Sequence, residues 1–331
     1  MTVLREARER LESLPSLAIP FAPTPVEELS RLLAEFRLKE ETTESEDLRL
    51  LVKRDDAIPL GFGGNKIRKL RLVAAQAIAD GADTLITTGG IQSNHARATA
   101  SVAARMGLGC VLVANGTPPP KPTANALLDR LLGADVRYVD RREDRAPAME
   151  RVAAELRARG RTPAVIPLGA STPLGAAAFA LAIGELLKQM PAPDVIVSST
   201  SSGGTQAGLV AGCALHGLST RVIGISADDP AAALSATIRG ILDGLEQMLH
   251  ADGAFKNAAI EVDDRFVGDG YGIPTPASTE AIELAARREA LFLDPTYTAK
   301  AMAGLIARLR ARELAGTVLF WHTGGQVGLF A

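Results

Sequence analysis

Short apolar runs alternate with longer segments of helical period along most of this chain, and that alternation constrains the fold more than any other feature. Candidate strands such as TLITTGG (84–90) and CVLVAN (110–115) stand on either side of a segment with apolar residues three and four positions apart, HARATASVAARMG (95–107). Strands that alternate with helices of this length form parallel sheets covered on both faces. The sequence therefore predicts an α/β protein with open, twisted, mostly parallel sheets.

Length and composition favour two such units. The chain has 331 residues, of which 47% are hydrophobic, so it can bury a large core. Its formal net charge is −2 and only 4% of its residues are aromatic, which provides neither a basic field nor a stacking surface for nucleic acid. We expect two domains and no nucleic-acid partner.

The sequence shows no signal for secretion or membrane insertion. Its first residues, MTVLREARERLESL, predict a short amphipathic helix and lack the apolar core of a signal peptide. The longest apolar stretch, LGAAAFALAIGELL (174–187), is too short and too rich in Ala and Gly to span a bilayer. Cys110 and Cys213 lie far apart and fit no disulfide or zinc pattern. We expect a cytoplasmic protein without a membrane partner.

Four glycine-rich segments punctuate the alternation. They are GFGGNK (61–66), TTGGIQSNH (87–95), SSTSSGGTQAG (198–208) and FWHTGGQVG (320–328). The first three precede predicted helices, and the last follows the final predicted strand. Because ligands bind at the carboxyl ends of the strands in open α/β sheets, all four segments are candidates for one ligand site.

The segment SSTSSGGTQAG has the features of a phosphate-binding turn. Ser202, Gly203, Gly204 and Thr205 offer backbone N–H groups and hydroxyls at the positive end of a helix, which binds a phosphate without a cation. The segment matches neither GxxxxGK[ST] nor GxGxxG, which argues against a nucleotide triphosphatase and a dinucleotide-binding protein. An ordinary tight turn between strand and helix is the alternative.

The segment GFGGNK places Lys66 in the first turn of a predicted helix. A cation there opposes the helix dipole, whereas a lysine neutralised as a Schiff base does not. Arg68 and Lys69 follow in the same helix, and we expect both to be ordinary solvent-exposed cations.

Other polar residues near the glycines carry little weight singly. Ser93, Asn94 and His95 stand at the tip of a turn, where helix capping is the alternative explanation. Tyr271 and Tyr297, taken alone, are typical of packing residues with a solvated hydroxyl. The four histidines are spread widely, so we predict no metal site.

One lysine, one phosphate-binding turn and one polar loop are together the parts that a pyridoxal phosphate enzyme needs. The motifs GGNKIRKL, GGIQSNHARATA, SSGGTQAG, GYGIP, LDPTYTAKAMAGL and LFWHTGG resemble the D-cysteine desulfhydrase and 1-aminocyclopropane-1-carboxylate deaminase family. The resemblance runs from about residue 23 to the end, with the motifs in the family's order. It implies a fold like the tryptophan synthase β subunit, which is fold type II of the pyridoxal phosphate enzymes.

The resemblance also implies how the chain is divided and assembled. A larger, cofactor-binding domain would consist of residues 1–69 and 176–331, and a smaller domain of residues 70–175. The cofactor would lie between them. We expect a homodimer that acts on a small amino acid.

The matching motifs imply a role for each polar residue of the first two segments. Lys66 is implied to bind the cofactor as a Schiff base and then to move protons at the substrate carbon. Asn94 is implied to donate a hydrogen bond to the cofactor's ring oxygen. Ser93, with the backbone N–H groups of Asn94 and His95, is implied to bind the substrate carboxylate.

The remaining motifs imply the rest of the site. The turn from Ser202 to Thr205 would bind the cofactor phosphate, and Thr323 would face the pyridine nitrogen. Tyr271, Tyr297 and Thr298 would line the substrate side. The residues expected to be catalytic are Lys66, Ser93, Tyr271 and Tyr297.

Two threonines distinguish the branches of this family. Its deaminases have an acid in PVYEGK and a leucine in HLGG, where this chain has Thr298 and Thr323. A neutral hydroxyl makes the cofactor ring a weaker electron sink than an acid does. Opening an unactivated cyclopropane needs more assistance than expelling a good leaving group. The resemblance therefore favours β-elimination, most simply from D-cysteine, giving pyruvate, ammonia and hydrogen sulfide.

Other functions stay open at the level of sequence. Relatives of this kind eliminate sulfite from L-cysteate, and the motifs do not separate that activity from desulfhydration. The remaining alternatives are a deaminase or racemase that uses the same cofactor, and a non-catalytic or dinucleotide-binding α/β protein.

Overall fold

The computed structural model describes residues 2–19, 23–36 and 48–331. Ten strands in these residues form one sheet of six strands and one of four. In chain order the strands are β1 (Val26–Glu28), β2 (Arg49–Arg54), β3 (Thr84–Gly90), β4 (Gly109–Asn115), β5 (Asp135–Val139), β6 (Pro163–Val165), β7 (Val195–Thr200), β8 (Arg221–Ser226), β9 (Glu261–Asp263) and β10 (Thr317–His322).

Both sheets are mostly parallel, as the alternation predicts. The larger sheet has the order β1-β2-β10-β7-β8-β9, and among its described pairs only β1 with β2 is antiparallel. The smaller sheet has the order β5-β4-β3-β6, and all of its pairs are parallel. The strands of the smaller sheet all lie within residues 70–175, and those of the larger sheet all lie outside that range.

Eleven α-helices pack around the sheets in the described part of the chain. In chain order they are α1 (Thr2–Glu12), α2 (Ser30–Ala34), α3 (Asn65–Ala79), α4 (Asn94–Met106), α5 (Ala124–Leu131), α6 (Arg145–Ala158), α7 (Pro173–Leu187), α8 (Gly204–Leu215), α9 (Ala231–Leu249), α10 (Pro276–Glu289) and α11 (Thr298–Arg310). Several begin at a local signal: Ser93 caps α4, and Thr172 caps α7 ahead of Pro173. Among the described residues, no helix combines the length and the hydropathy that crossing a membrane requires.

The core covers both faces of the larger sheet. Successive residues of a strand point to opposite faces. In β10, Val318 and Phe320 pack into a core shared with α11, whereas Leu319 and Trp321 pack into another that contains Phe179 of α7. Parallel sheets occur almost only with both faces covered, and the larger sheet has this arrangement.

The predicted domain boundaries fall inside helices. Helix α3 continues across the boundary at 69/70, and α7 continues across that at 175/176. The two helices contact each other and so link the sheets. The boundaries therefore stay a prediction, and residues 1, 20–22 and 37–47 of the predicted larger domain lie outside the described residues.

A buried group of charges ties α3 to the larger sheet. Arg68 forms ion pairs of 2.7 Å with Asp55 and 2.8 Å with Glu185. The indole nitrogen of Trp321 donates a hydrogen bond of 2.8 Å to Asp55, and Lys53 lies 2.6 Å from Glu185. The expectation that Arg68 is solvent-exposed is wrong, because two carboxylates accept its guanidinium and make its burial tolerable.

Candidate active site

A cavity lies at the carboxyl ends of strands from both sheets, and residues of all four glycine-rich segments line it. The space open to the centre of a water molecule is about 140 Å³. One water needs roughly 10–15 Å³ by this measure, so the cavity has room for a small molecule. The predicted site residues in its wall are Lys66, Ser93, Asn94, His95, Ser202, Gly203, Thr205, Tyr271, Tyr297 and Thr323.

Lys66 is fixed at the cavity by the first turn of α3. The backbone N–H of Asn65 donates to the carbonyl oxygen of Thr323 (3.0 Å), and the Asn65 side-chain amide donates to Thr205 Oγ1 (3.0 Å). Gly64 precedes them with φ +99°, and a Cβ there would lie 3.0 Å from the Thr323 carbonyl oxygen. The glycine is needed because the start of α3 approaches the end of β10 this closely.

The Lys66 amine is unpaired in the described residues. In the described part of the chain it makes no ion pair and no hydrogen bond. Burial lowers the pKa of Lys66 to about 8. A larger fraction of this amine is therefore neutral at physiological pH than for an exposed lysine.

Lys69 lies one turn further along α3, and the expectation that it is a solvent-exposed cation is also wrong. It is fully buried, with Nζ 3.3 Å from the carbonyl oxygen of Gly169 and 3.1 Å from Ser171 Oγ. No carboxylate pairs with it in the described residues. Burial first, and then the charge of Lys66, hold the pKa of Lys69 well below its ordinary value.

The Lys69 ammonium stands beside the glycine turn that begins α8. A Cβ on Gly204 would lie 2.9 Å from Lys69 Nζ and 2.7 Å from Ser171 Oγ. Ser171 Oγ in turn is 2.8 Å from Ser202 Oγ. The turn thus combines a helix N-terminus, two hydroxyls and the buried Lys69 amine, a set of donors of the kind that holds anions in proteins. Sequence reasoning predicted this site without its cation.

Ser93 and Asn94 begin α4 at the cavity wall. Ser93 Oγ accepts a hydrogen bond of 3.2 Å from the backbone N–H of Ala96, so its hydroxyl proton stays available. Asn94 Oδ1 accepts from Asn125 Nδ2 at 2.9 Å, which leaves the Asn94 amide NH₂ as a donor. Asn125, which sequence reasoning missed, also bonds the backbone oxygen of Gln92 and so fixes this orientation.

The side chain of His95 is a neutral imidazole that donates a hydrogen bond through Nε2. Thr87 Oγ1 donates its one proton to the carbonyl oxygen of Ile166 at 2.8 Å. The same oxygen lies 2.8 Å from His95 Nε2, so it must accept a proton from Nε2. Burial, and the charges of Lys66 and Lys69, keep the pKa of His95 well below its ordinary value. The neutral ring leaves Nδ1 as an acceptor, and in the described part of the chain Nδ1 has no partner.

Hydroxyl groups occupy the end of the cavity at β7 and β10. Thr323 Oγ1 lies 3.0 Å from Ser199 Oγ, and both residues line the wall. None of the described lining residues is an aspartate or a glutamate. This end of the site is therefore polar but uncharged.

Two tyrosines close another side of the cavity. The hydroxyls of Tyr271 and Tyr297 are hydrogen-bonded to each other, and their rings meet edge to face with centroids 5.8 Å apart. Burial raises the pKa of both phenols, so both are protonated at neutral pH. Asp294 fixes the second tyrosine by accepting a 2.8 Å hydrogen bond from the backbone N–H of Tyr297.

The structure does not bring Thr298 to the cavity wall. Its hydroxyl donates to Asp294 Oδ1 at 2.7 Å and accepts from the Asp294 backbone N–H at 2.8 Å. The side chain is fully buried in these bonds. The assignment of Thr298 to the substrate side is therefore corrected, because it serves the start of α11.

Two arginines reach the cavity from the side of the smaller sheet, and sequence reasoning missed both. Arg142 and Arg145 line the wall together with Asn115 at the end of β4. They stand in an arginine-rich, mostly exposed stretch, RREDRAPAMER, which no local signal separates from an ordinary helix start.

Comparison with known proteins agrees with this geometry. The family described as "Pyridoxal-phosphate dependent enzyme" matches residues 18–324. The chain belongs to this family. D-cysteine desulfhydrase of Klebsiella pneumoniae is 37% identical over 337 residues, covering 98% of both proteins. The corresponding enzyme of Salmonella newport is also 37% identical, over 331 residues and 97% of both proteins.

Solved structures of the family share the fold. A crystal structure of an ACC deaminase homologue superposes with a TM-score of 0.89 at 32% identity, covering 98% of this chain and 96% of that one. The fold is therefore fold type II of the pyridoxal phosphate enzymes, as the motifs predicted, and the chain is a pyridoxal phosphate-dependent enzyme.

The residues present fit pyridoxal phosphate. The cofactor needs an amine for its aldehyde, and Lys66 is unpaired in the described part of the chain. It needs an anion site, and the turn at Gly204 beside Lys69 has room only while residue 204 lacks a Cβ. It needs a hydrogen-bond donor for its ring oxygen, and the Asn94 amide, oriented by Asn125, has its NH₂ group free for that task.

Proposed function

We propose that the enzyme catalyses β-elimination from a small β-substituted amino acid, most simply D-cysteine, to give pyruvate, ammonia and hydrogen sulfide. Relatives named D-cysteine desulfhydrase match nearly the whole chain and support the reaction type. The observation that carries the proposal is the uncharged hydroxyl pair of Thr323 and Ser199.

That hydroxyl pair favours elimination over opening of a cyclopropane ring. When bound, pyridoxal phosphate supplies the electron sink that makes removal of the substrate Cα proton feasible. Thr323 and Ser199 bear no charge, so they leave this sink weaker than a carboxylate would. Expelling sulfide from the β carbon needs less assistance than breaking an unactivated carbon–carbon bond.

Lys66 and the residues around it would hold the cofactor. Lys66 would bind it covalently and move the proton at the substrate Cα, for which a pKa of about 8 is well suited. Lys69 and the turn from Ser202 to Thr205 would bind the phosphate. Asn94, with its carbonyl oxygen taken by Asn125, would donate to the ring oxygen.

Ser93 and the tyrosines would hold the substrate. The Ser93 hydroxyl and the N–H groups at the start of α4 offer donors to the substrate carboxylate. Tyr297, a protonated phenol bonded to Tyr271, would donate a proton to the departing sulfur. The Cα–H and Cβ–S bonds break, the sulfur leaves with the bonding pair, and one water converts the remaining enamine to pyruvate and ammonia.

A panel of substrates tests this proposal. Pyruvate release would be measured with D-cysteine, L-cysteine, L-cysteate, β-chloro-D-alanine and 1-aminocyclopropane-1-carboxylate, the last through its 2-oxobutanoate product. We expect turnover of D-cysteine and β-chloro-D-alanine and almost none of the cyclopropane. A fast reaction with the cyclopropane substrate would instead make the enzyme a deaminase.

We further propose that the enzyme is a cytoplasmic homodimer, as its resemblance to the family implies. Light scattering coupled to gel filtration measures the assembly directly. A monomer of 34.6 kDa that is fully active would contradict the dimer.

A further inference from the structure

The segment that leads into Lys66 has a left-handed backbone throughout. Its residues have positive φ angles of +54° at Gly61, +62° at Phe62, +67° at Gly63 and +99° at Gly64. Glycine adopts such angles freely, whereas a residue with a side chain does so at a cost. Phe62 gains no burial in return, because it is 59% exposed. A strained backbone of this kind persists only where surrounding contacts hold it.

Arg97 of α4 supplies such contacts. Its Nη1 donates a hydrogen bond to the backbone oxygen of Gly61, and its Nη2 donates one of 3.3 Å to that of Gly63. These two acceptors stand on either side of Phe62. Ser101, one turn further along α4, lies so close to Gly61 that a Cβ on this glycine would collide with its hydroxyl. Helix α4 therefore holds segment 61–64 in place.

The guanidinium of Arg97 is buried at a cost. Arg97 is 1% exposed, and in the described part of the chain it forms no ion pair and its Nε has no hydrogen-bond partner. Burial lowers the pKa of Arg97 to about 10, an effect that the charge of Asp129 offsets only in part, so the group stays charged at neutral pH. A desolvated cation without a paired carboxylate is unfavourable unless its contacts compensate for it. The contacts that Arg97 does make are those to segment 61–64.

We propose that Arg97 is a positioning residue that sets the place of Lys66 relative to the start of α4. This inference rests on the proposed function, in which Lys66 moves the proton at the substrate Cα. Ser93 and Asn94, which begin α4 one turn before Arg97, would hold the substrate carboxylate and the cofactor. Segment 61–64 runs directly into α3, which carries Lys66. One guanidinium thus joins the two elements that act on the same substrate.

Arg97 acts through this segment and not on the substrate. It is absent from the described cavity wall, which Lys66 and the start of α4 do line. Its loss should therefore displace the base and leave the donors for the substrate carboxylate where they are. Even a shift of about 1 Å in a catalytic group costs about 10²-fold in rate.

The variants Arg97→Met and Arg97→Lys test this role in the holoenzyme. We expect kcat for D-cysteine and β-chloro-D-alanine to fall about 10- to 100-fold in Arg97→Met, while KM changes by less than about 3-fold. Arg97→Lys should lose less, because it keeps the charge but lacks the planar fork that spans two carbonyl oxygens. Arg105→Met is the matched control, since it removes the same charge from an exposed position of α4. It should leave both constants unchanged.

A second substitution separates positioning from a general loss of stability. Phe62→Gly removes the cost of the left-handed backbone at residue 62, so in the Arg97→Met background it should raise kcat about 5-fold or more. In the wild-type background no gain is expected, because Arg97 already holds this conformation. Glycine does not restore stability in general, since it increases the entropy of the unfolded chain.

Hydrogen exchange follows the segment without any turnover. The backbone N–H groups of Gly64 and Asn65 donate hydrogen bonds of 2.9 and 3.0 Å to oxygens outside the segment. In the full-length protein, with or without the cofactor, we expect Arg97→Met to speed the exchange of both about 10-fold or more and Phe62→Gly to restore part of the protection.

Two results would overturn the positioning role of Arg97. One is wild-type exchange at Gly64 and Asn65 in Arg97→Met, and the other is a loss of kcat that Phe62→Gly does not reduce. Failure of the proposed function looks different, because the wild-type enzyme would then release no pyruvate from D-cysteine or β-chloro-D-alanine. The exchange measurement would still decide whether Arg97 holds the segment before Lys66.

Discussion

Lys66 and Lys69 lie one turn apart on α3, and the surroundings of their ammonium groups differ. Lys66 lines the cavity and is unpaired in the described residues. Lys69 Nζ donates hydrogen bonds to a backbone oxygen and a hydroxyl oxygen beside the turn at Gly204. Burial lowers the pKa of both groups. Under the proposed function, the cofactor's aldehyde would lie beside Lys66 and its phosphate beside Lys69, so neither desolvated amine would be left without a partner.

Lys66→Ala should abolish turnover while the fold survives, because no other amine lines the described cavity wall. The variant should also lose the visible absorption of the lysine-bound cofactor. Borohydride followed by mass spectrometry should attach the cofactor to the wild-type chain at Lys66 and leave the variant chain unmodified. Normal turnover by the variant would show that another group binds the cofactor.

Lys69→Met should weaken the binding of the cofactor without lowering the stability of the apoprotein. Losing a charge-assisted contact to the phosphate should raise the dissociation constant of pyridoxal phosphate about 10- to 100-fold. The apoprotein should melt at the wild-type temperature or higher, because a buried amine without a carboxylate partner is removed. Fluorescence titration and calorimetry measure the two effects. Lys121→Met, at an exposed loop position, should change neither.

Among the elements, α11 depends on one carboxylate at its start. Asp294 accepts hydrogen bonds of 2.8 to 2.9 Å from the backbone N–H groups of Thr296, Tyr297 and Thr298, donors that no residue inside the helix can satisfy. The same bonds fix Tyr297 against the cavity. The acid sits at the positive end of the helix dipole, which adds to the stabilisation.

Thr298→Glu should destabilise the protein rather than convert it to a deaminase. The new carboxylate would be buried within reach of Asp294, where the threonine hydroxyl now donates at 2.7 Å. Two like charges at a buried site cost several kcal/mol. The melting temperature should fall markedly for Thr298→Glu and change little for Thr298→Ser, which keeps the hydroxyl. An unchanged melting temperature in both would show that the side chain turns outward.

Lys300 positions the loop that presents Tyr271. Its buried Nζ donates to the backbone oxygens of Val267 (2.7 Å) and Gly270 (2.9 Å). Lys300→Met should leave these acceptors unsatisfied, costing about 1–3 kcal/mol in unfolding free energy. Turnover by Lys300→Met should fall clearly below that of Lys256→Met, a control variant at an exposed position. Full activity at a temperature well below both melting points would show that the loop needs no such support.

The local pattern predicted the elements well, and it failed where tertiary neighbours decide. Strand β3 and helix α4 lie within one residue of the predicted limits, because period and capping are local properties. Strand β6 ends at Val165, since Pro167 cannot donate to the sheet and Gly169 has φ +70°.

The sequence predicted the segments that line the cavity, but not all of the contacts within it. The glycine segments marked the cavity, because permissive backbone is needed where a ligand approaches closely. Thr298 is held away from the wall by Asp294, four residues before it, which no periodic pattern singles out. The burial of Lys69 beside Gly169 and the position of Arg145 beside Asn115 depend on residues far away in sequence. Those distant contacts leave no periodic trace, so only the folded structure reveals them.

The site lies between the two sheets, and at its mouth an ion pair joins a residue from each side. Arg142 follows β5 of the smaller sheet, and Asp228 follows β8 of the larger one. The guanidinium of Arg142 also lies 5.6 Å from the centre of the Tyr271 ring. The pair thus links residues that follow strands of both sheets, next to Tyr271 in the cavity wall.

Asp228→Asn should loosen this link and weaken substrate binding while chemistry proceeds. Partly exposed ion pairs contribute about 0.2–1 kcal/mol, so KM for D-cysteine should rise about 2- to 5-fold with kcat little changed. Because salt screens exposed charges, the wild-type KM should approach that of the variant as ionic strength rises. Asp229→Asn removes a neighbouring exposed charge and should behave as wild type. A KM for Asp228→Asn equal to wild type at low salt would show that the two halves stay together without this pair.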